Sequence, residues 1–552
     1  MFTARQKIDY LFYIVVFVIL MGYLWHCLAI NYVVDDSFIS FRYVKNFVNG
    51  DGLVYNPGER VEGYTNFLWI MILSGFHWAI PDANLLHIAQ TLGIISGFAT
   101  IFLVIKFSCL INRRLSIFCL VSAAFLAMNS GFCAWSTSGM ETVFFTLLIF
   151  SGCYLYVYYT RSEKKFIYAA ILFGLAALTR PEGVLFFCLT SVHLIVREYC
   201  SGKKLLNGRM VLWFLAFAAV YLPYYLWRFN YYGYLLPNTF YAKVGSGVHQ
   251  YLRGLRYMMK YLIYYGIFLF LLPLPLIFKK KKDEWIYLFF FQVGIFIAYI
   301  IYVGGDGLGF YRFVVPIVPF IYILVQEGLR ELYYKTNRRM LVGGGLRIHL
   351  TMVLLIILSF AATGRQSLWV LLYPESQRWY EPQCELFFPG DGKNHSYLWF
   401  DNYFVDRLAI AAKWLEENAE PDSLVASSPA GSIAYHMNLK VLDMLGLNDI
   451  HIAHTKDTFG GAFGKARAGH EKGDGEYILS KSPDYILMGN VAVLPRPINE
   501  TEMSKKLVFK SEHEIWGNPD FHRRYEYITV KLNDEGVFKY FTFYKKRAVS
   551  SL

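Results

Sequence analysis

The chain has 552 residues, 56% of them apolar and only 17% charged, with a mean hydropathy of +0.35, which excludes an ordinary soluble globular protein. Its formal charge of +12 accompanies many membrane-length apolar runs, so the excess Lys and Arg report cytoplasmic loops and argue against a nucleic-acid partner. Eight cysteines with no CxxC pair exclude a zinc site or a disulfide framework readable from spacing.

In chain order, the first apolar run, 10–30, is long enough to cross a hydrocarbon core. Acidic residues follow it rather than a small-residue cleavage site, so it reads as a retained helix. Next comes "VVDDSFISFRYVKNFVNGDGLVYNPGERVEGYTN", 33–66. Phe38, Phe41, Val44 and Val48 recur at three-to-four spacing, with Arg42, Lys45, Asn46 and Asn49 on the other face. That pattern predicts an amphipathic helix lying in the membrane interface. "NGDG" and "NPGE" then mark turns. The apolar run 66–80 has only fifteen residues, short for a crossing. Further spans are expected at 85–107, 115–132, 141–160, 165–179, 183–197, 209–229, 257–278, 285–303, 312–329 and 349–364, about eleven with the first.

Basic clusters set the orientation. Arg5 and Lys7 put the N-terminus in the cytoplasm. If 66–80 is a juxtamembrane or re-entrant helix, then Arg113-Arg114, Arg161 with Lys164-Lys165, Lys203-Lys204, Lys279 to Lys282 and Arg338-Arg339 all fall inside; if it crosses, all five clusters move outside. The first arrangement is the expected one. It puts the outer loop 31–84, the segment 134–141, "TRPEG" (179–183), the loop 230–256, "GGDG" (304–307) and everything after about 365 on the outer side of the membrane. The expected domains are thus a transmembrane part, 1–364, and an extracytoplasmic part, 365–552. In the latter, "DRLAIAAKWLEENA" (406–419) reads as an amphipathic helix, "DSLVASS", "KVLDML" and "DYILMG" as buried strands, and "YEYITVKLNDEGVFKYFTFYKK" as a hairpin turning at "NDEG". Together they predict a small α/β domain.

Two adjacent carboxylates, Asp35 and Asp36, stand at the mouth of the first span. Asp36 can simply cap the following helix, where the dipole favours negative charge. A single acid suffices for a cap, so the pair also reads as a general base or, if a divalent cation is used at all, as its ligands, facing a membrane-embedded cavity.

"DDSFISFRYVKNFVNGDGLVYNPGERVEGYTNFLW" resembles the first outer loop of the GT-C membrane glycosyltransferases, and among them the arabinofuranosyltransferases that use a polyprenyl-phosphate-arabinose donor, such as the mycobacterial terminal β-(1→2)-arabinofuranosyltransferase and the pilin arabinosyltransferases. Ser37 stands where the family has Ala, and Phe67 where it has Pro. "STSGMET", "LTRPEG", "RFNYYGYLLPNTFYAK", "GGDGLGFYRFVVPIVP", "VLDMLGLND" and "GHEK" are also similar to family segments, so the resemblance runs over nearly the whole chain. It implies a GT-C fold and transfer of a sugar, D-arabinofuranose first, from polyprenyl phosphate to a hydroxyl of a surface glycan or protein.

Such a donor needs cations at its phosphate. Arg180 can clamp one in bidentate fashion, reach lipid headgroups, or form a fixed local pair with Glu182. Arg228, Lys243 and Arg312 are further phosphate candidates. Asn238 and Thr239 offer neutral partners for sugar hydroxyls, and Asp306 can orient an arginine or a hydroxyl. Glu141 is a second acid/base carboxylate or a helix N-terminal charge. Glu62 and Tyr64 lie in a loop suited to the acceptor, and His470 is an acceptor or structural contact without metal-ligand spacing. Asp35 or Asp36 would deprotonate the acceptor as polyprenyl phosphate leaves; inversion and retention both stay open. No nucleotide-binding motif is present, and a metal-free reaction is preferred. The rivals are a lipid-linked-sugar flippase or transporter, against which stand charges at the outer ends of spans and no internal repeat, and a non-catalytic envelope-assembly protein.

Overall fold

Apolar runs bounded by turn residues satisfy their backbone groups internally, so in a membrane they become helices. The computed structural model describes residues 4–113, 117–159, 165–202, 204, 207–243, 247–279, 283–339, 357, 397–456, 470–489, 493–532 and 539–548. Among the described residues, seven helices are long and apolar enough to cross a bilayer: Tyr10–Ile30, Leu85–Asn112, Thr142–Tyr159, Glu182–Cys200, Gly208–Tyr232, Glu284–Val303 and Arg312–Tyr334. Two bent pairs, Phe118–Met128 with Ser130–Thr137 (57°) and Val248–Tyr265 with Ile267–Ile277 (97°), bring the total to nine if each is one span. The expected span 165–179 is the 13-residue helix Ile167–Thr179. The expected span 349–364 and the "NDEG" turn lie outside the described residues. The chain is a multi-pass membrane protein.

The chain divides into two compact units. The first gathers 1–32, 89–225 and 250–381. Its core is aromatic: Phe107 stacks on Phe289 at 5.0 Å, and Phe289 meets Phe320 edge-on at 4.9 Å. A buried polar knot joins distant segments, with Gln326 Oε1 accepting from Ser122 N (3.0 Å) and Ser122 Oγ (2.8 Å). Side-chain hydrogen bonds of this kind hold helices together where lipid removes the hydrophobic drive.

The second unit gathers 33–88, 226–249 and 382–552. A six-stranded mixed sheet, β1 (Leu424–Ser427), β2 (Lys440–Asp443), β3 (Tyr485–Leu487), β4 (Val493–Leu494), β5 (Tyr525–Lys531) and β6 (Tyr540–Lys546), runs in the order β2-β1-β3-β6-β4, with β5 paired to β6. β1 is parallel to β2 and β3, with Val425 opposite Val441 and Tyr485; β5 and β6 are antiparallel, with Ile528 opposite Phe543. Ile486, Ile452, Met503, Ile515 and Phe521 fill the core beside the sheet.

The segment after the first span is part of this second unit. Helix Asp35–Val48 is buried on both faces, Arg42 and Asn46 included. That differs from the expected interfacial helix with a solvated polar face, and the reason is hydrogen bonding. Arg42 donates to four carbonyls: Tyr55 O (3.1 Å), Ala434 O (3.0 Å), Met437 O (2.6 Å) and Leu439 O (3.3 Å). Asn56 extends the edge of β2 like a further strand residue, donating to Val441 O (2.9 Å) and accepting from Val441 N (3.1 Å). Such pairing blunts a sheet edge. Helix Phe67–Ala79 has 13 residues, about 20 Å at 1.5 Å per residue, shorter than a hydrocarbon core of about 30 Å.

Candidate functional site

Asp35 and Asp36 open helix Asp35–Val48, but neither caps it: Val34 is the N-cap residue and makes no side-chain cap bond, and Ser37 Oγ donates to Val34 O at 2.7 Å. Asp35 instead reaches across the sequence. Its Oδ1 accepts from Ser432 N at 2.6 Å and its Oδ2 from Gly431 N at 3.1 Å, so it closes the start of the short helix Ser432–Tyr435. A Cβ on Gly431 would lie 1.9 Å from Asp35 O, so this approach needs glycine. Burial pushes the Asp35 carboxyl up to about 7, the neighbouring Asp36 charge adds to the rise, and the two N–H donors oppose it. Both aspartates are half-buried.

A second carboxylate, Asp443, organises the loop after β2. It accepts from Leu445 N (2.9 Å), Asn448 N (2.8 Å) and Asn448 Nδ2 (3.1 Å). Asn238 spans the same loop, donating to Gly446 O (2.9 Å), Leu447 O (3.0 Å) and Asp449 O (3.2 Å). Burial pushes Asp443 from the ordinary 3.8 up to about 6. An acid raised on folding keeps a proton that the unfolded chain has released. Its contribution to stability is therefore fully present below the unfolded pKa and is lost as pH rises through the folded one. The melting temperature should accordingly fall between about pH 4 and pH 6, and Asp443→Asn should flatten that part of the profile in a pH series of thermal melts.

Glu62 and Arg228 form a buried pair. Arg228 Nε lies 2.9 and 2.8 Å from the two Glu62 oxygens, Nη2 lies 2.7 Å from Oε2, and Nη1 donates to Leu235 O at 3.0 Å. Tyr64 is buried beside it, its hydroxyl 3.1 Å from that of Tyr232. Thr239 is half-buried and Lys243 exposed on helix Asn238–Lys243. His470 meets the Phe509 ring edge-on at 5.9 Å, and Lys472 Nζ donates to Ala453 O at 2.6 Å. All these residues belong to the second unit.

The first unit holds the other expected residues in one cluster. Arg180 Nη1 meets Glu141 Oε1 at 3.0 Å, while Nη2 and Nε hold Glu182 at 2.9 and 3.3 Å. Tyr299 adds a hydroxyl to Glu182 Oε1 at 3.4 Å. Arg312 grips Asp306 through Nε (2.6 Å) and Nη2 (3.2 Å), while its Nη1 rests on Met140 Sδ at 3.4 Å. Both guanidiniums face the Phe313 ring, at 5.6 and 5.2 Å. Two arginines against three carboxylates do not make a bare cationic pocket. Arg180 thus has Glu182 and Glu141 as its carboxylate partners.

Sequence reasoning missed Gly431, Ser432, Asp443 and Tyr299. "SPAGS" (428–432) carries only an ordinary turn signal, and nothing local in "VLDMLGLND" assigns a role to its first aspartate. Among the described residues no group of three or more His, Cys, Asp or Glu is arranged to hold a metal ion.

Residues 401–545 match a family described as "Domain of unknown function (DUF8728)". The chain is similar to the terminal β-(1→2)-arabinofuranosyltransferases of Mycobacterium tuberculosis, 25% identical over 240 residues covering 40% of this chain and 36% of that protein, and of Corynebacterium glutamicum, 30% identical over 244 residues covering 39% and 34%. It thus aligns with about a third of the length of these curated relatives. Among solved structures, ArnT from Cupriavidus metallidurans bound to undecaprenyl phosphate aligns over 80% of this chain and 86% of its own, at 11% identity and a TM-score of 0.50. The oligosaccharyltransferase of Archaeoglobus fulgidus in complex with Zn and sulfate aligns over 94% and 72%, at 12% identity and a TM-score of 0.53. These likenesses establish the fold, GT-C, for this chain.

Proposed function

We propose that this chain is a membrane glycosyltransferase that moves D-arabinofuranose from a polyprenyl-phosphate carrier to a hydroxyl of a surface glycan or protein, at the outer face of the inner membrane. The arabinofuranosyltransferase names of its relatives support the sugar, and undecaprenyl phosphate bound to ArnT supports the carrier. The observation that carries the reading is the acid pair at the head of helix Asp35–Val48, one member of which is fixed by the Gly431 and Ser432 amides.

In this reading Asp35 is the positioning residue and Asp36 the base. With Asp35 held through both oxygens, Asp36 is fixed one residue on, where it takes the acceptor proton as the glycosidic bond to phosphate breaks. The phosphate leaves with the bonding pair and needs a cation. Within the first unit, Arg312 is the residue suited to a phosphate: exchanging its Met140 contact for a phosphate oxygen replaces a weak sulfur acceptor with a charge-assisted bond while Asp306 holds the fork. Arg180, between Glu141 and Glu182, holds the cluster together. No step requires a metal; if a divalent cation is used, Asp35 and Asp36 are the carboxylates to hold it. Arg312→Gln is expected to lower turnover with the lipid donor by about 10²-fold, consistent with loss of one preorganised donor, and steady-state kinetics against donor concentration measures it.

Donor choice tests the proposal. The purified full-length chain, given polyprenyl-phosphoryl D-arabinofuranose or the corresponding pyranose, should release polyprenyl phosphate from the furanose donor in step with glycosylated acceptor. Equal use of both donors would remove arabinofuranose from the reading, and use of neither would remove the polyprenyl carrier.

A further inference from the structure

Helix Gly247–Tyr265 is not built like the membrane-crossing helices. At 100° per residue its side chains fall on three faces. Met258, Tyr261, Tyr264 and Tyr265 are buried against the protein. Leu252, Leu255, Met259 and Ile263 form an exposed apolar face, with Ile263 64% exposed. Arg253, Arg256 and Lys260 line up beside that face at three-to-four spacing, and the run 247–265 contains no acidic residue.

Its packing fixes its level. Gln250 Nε2 donates to Tyr302 O at 2.8 Å and Arg253 Nε to Gly304 O at 3.1 Å, while a Cβ on Gly254 would lie 2.3 Å from Ile301 O. The helix therefore lies against the C-terminal end of Glu284–Val303, a helix of membrane length whose last carbonyls mark a boundary of the hydrocarbon core. At Gly266, with φ of 89°, the chain turns by 97° into Ile267–Ile277. An amphipathic helix at right angles to its apolar successor, at the end of a span, has the geometry of a surface helix.

We infer that helix Gly247–Tyr265 lies along the membrane plane, sinks Leu252, Leu255, Met259 and Ile263 into the acyl layer, and binds the phosphates of anionic phospholipid headgroups through Arg253, Arg256 and Lys260. The occupant is the bilayer's own headgroup layer rather than one donor phosphate. Arg253 and Lys260 stand seven residue steps apart, about 10 Å at 1.5 Å per residue, more than a single phosphate spans. The adjoining apolar face supplies the acyl contact that an anionic lipid brings with its charge. This inference is independent of the proposed reaction.

The full chain, reconstituted with phosphatidylcholine and phosphatidylglycerol together, would be extracted mildly and its retained lipid identified by mass spectrometry. Wild-type protein should retain phosphatidylglycerol selectively, and each charge removed in an R253Q/R256Q/K260Q series should reduce that selectivity about fivefold. No selectivity in the wild type, or complete displacement of phosphatidylglycerol by added polyprenyl phosphate, would overturn the inference. A second measurement needs no charge removed: nitroxides at Leu252→Cys, Leu255→Cys, Met259→Cys and Ile263→Cys should report one common depth in the bilayer. A depth that increases steadily from 252 to 263 would mean that the helix crosses, and would equally overturn it.

Discussion

Asp36→Asn is expected to lower sugar transfer by about 10³-fold, within the range that general-base catalysis supplies, and to leave the melting temperature of the purified protein unchanged. Asp35→Asn is expected to lower both. An asparagine offers one oxygen and one NH2 where Asp35 offers two oxygens to Ser432 N and Gly431 N. One amide then faces a donor, and leaving such a group without an acceptor costs about 1–3 kcal/mol. Thermal melts and single-turnover transfer on the same preparations separate the two. Equal melting temperatures for both variants would remove the division of roles between the aspartates. Gly431→Ala should behave like Asp35→Asn, because its Cβ would press on Asp35 O.

The second large effect concerns stability. Arg180 is 10% exposed and lies between Glu141 and Glu182, 2% and 8% exposed. Arg180→Met leaves two carboxylates buried without their counter-charge, a change that in buried pairs costs about 3–5 kcal/mol. Adding Glu141→Gln and Glu182→Gln removes those charges, so the triple variant should recover most of the lost stability in a denaturation series. Failure to recover would show that Arg180 acts through packing on Phe145 and Phe313 rather than by charge. Arg312→Gln, by contrast, is expected to leave stability closer to wild type, because it leaves the single acid Asp306, not two, without its cation.

What the sequence discloses follows the range of the interactions. Runs such as Tyr10–Ile30 and Glu284–Val303 announce themselves because each is apolar over a whole bilayer thickness. Strands β1, β2 and β3 are legible as short apolar runs between turn residues, and β5 with β6 as a hairpin. Local pairs are legible too. Glu182 stands two residues from Arg180, and Asp306 six from Arg312, so both pairings could be weighed from spacing. The contacts that define the acid pair could not. Asp35 meets amides 396 and 397 residues away, Arg42 meets carbonyls about as distant, and Glu62 meets an arginine 166 residues on. Nothing periodic links such partners. The helix Asp35–Val48 misled for the same reason: its polar face matches the pattern of a surface helix, yet backbone carbonyls of the sheet domain, not water, satisfy Arg42. Helix Gly247–Tyr265 shows the converse. Its residues fall partly in the expected outer loop 230–256 and partly in the expected span 257–278, and only the 97° bend at its end separates a surface stripe of cations from a crossing.

Sugar transfer from a lipid carrier by the acid pair is the central proposal. The full chain in lipid nanodiscs, given polyprenyl phosphate carrying isotopically labelled arabinofuranose and an arabinan acceptor, tests it most directly. Label should move to the acceptor hydroxyl, one polyprenyl phosphate should be released per sugar moved, and Asp36→Asn should stop both. Label that remains on the carrier with wild-type protein, or transfer that continues undiminished in Asp36→Asn, would contradict it.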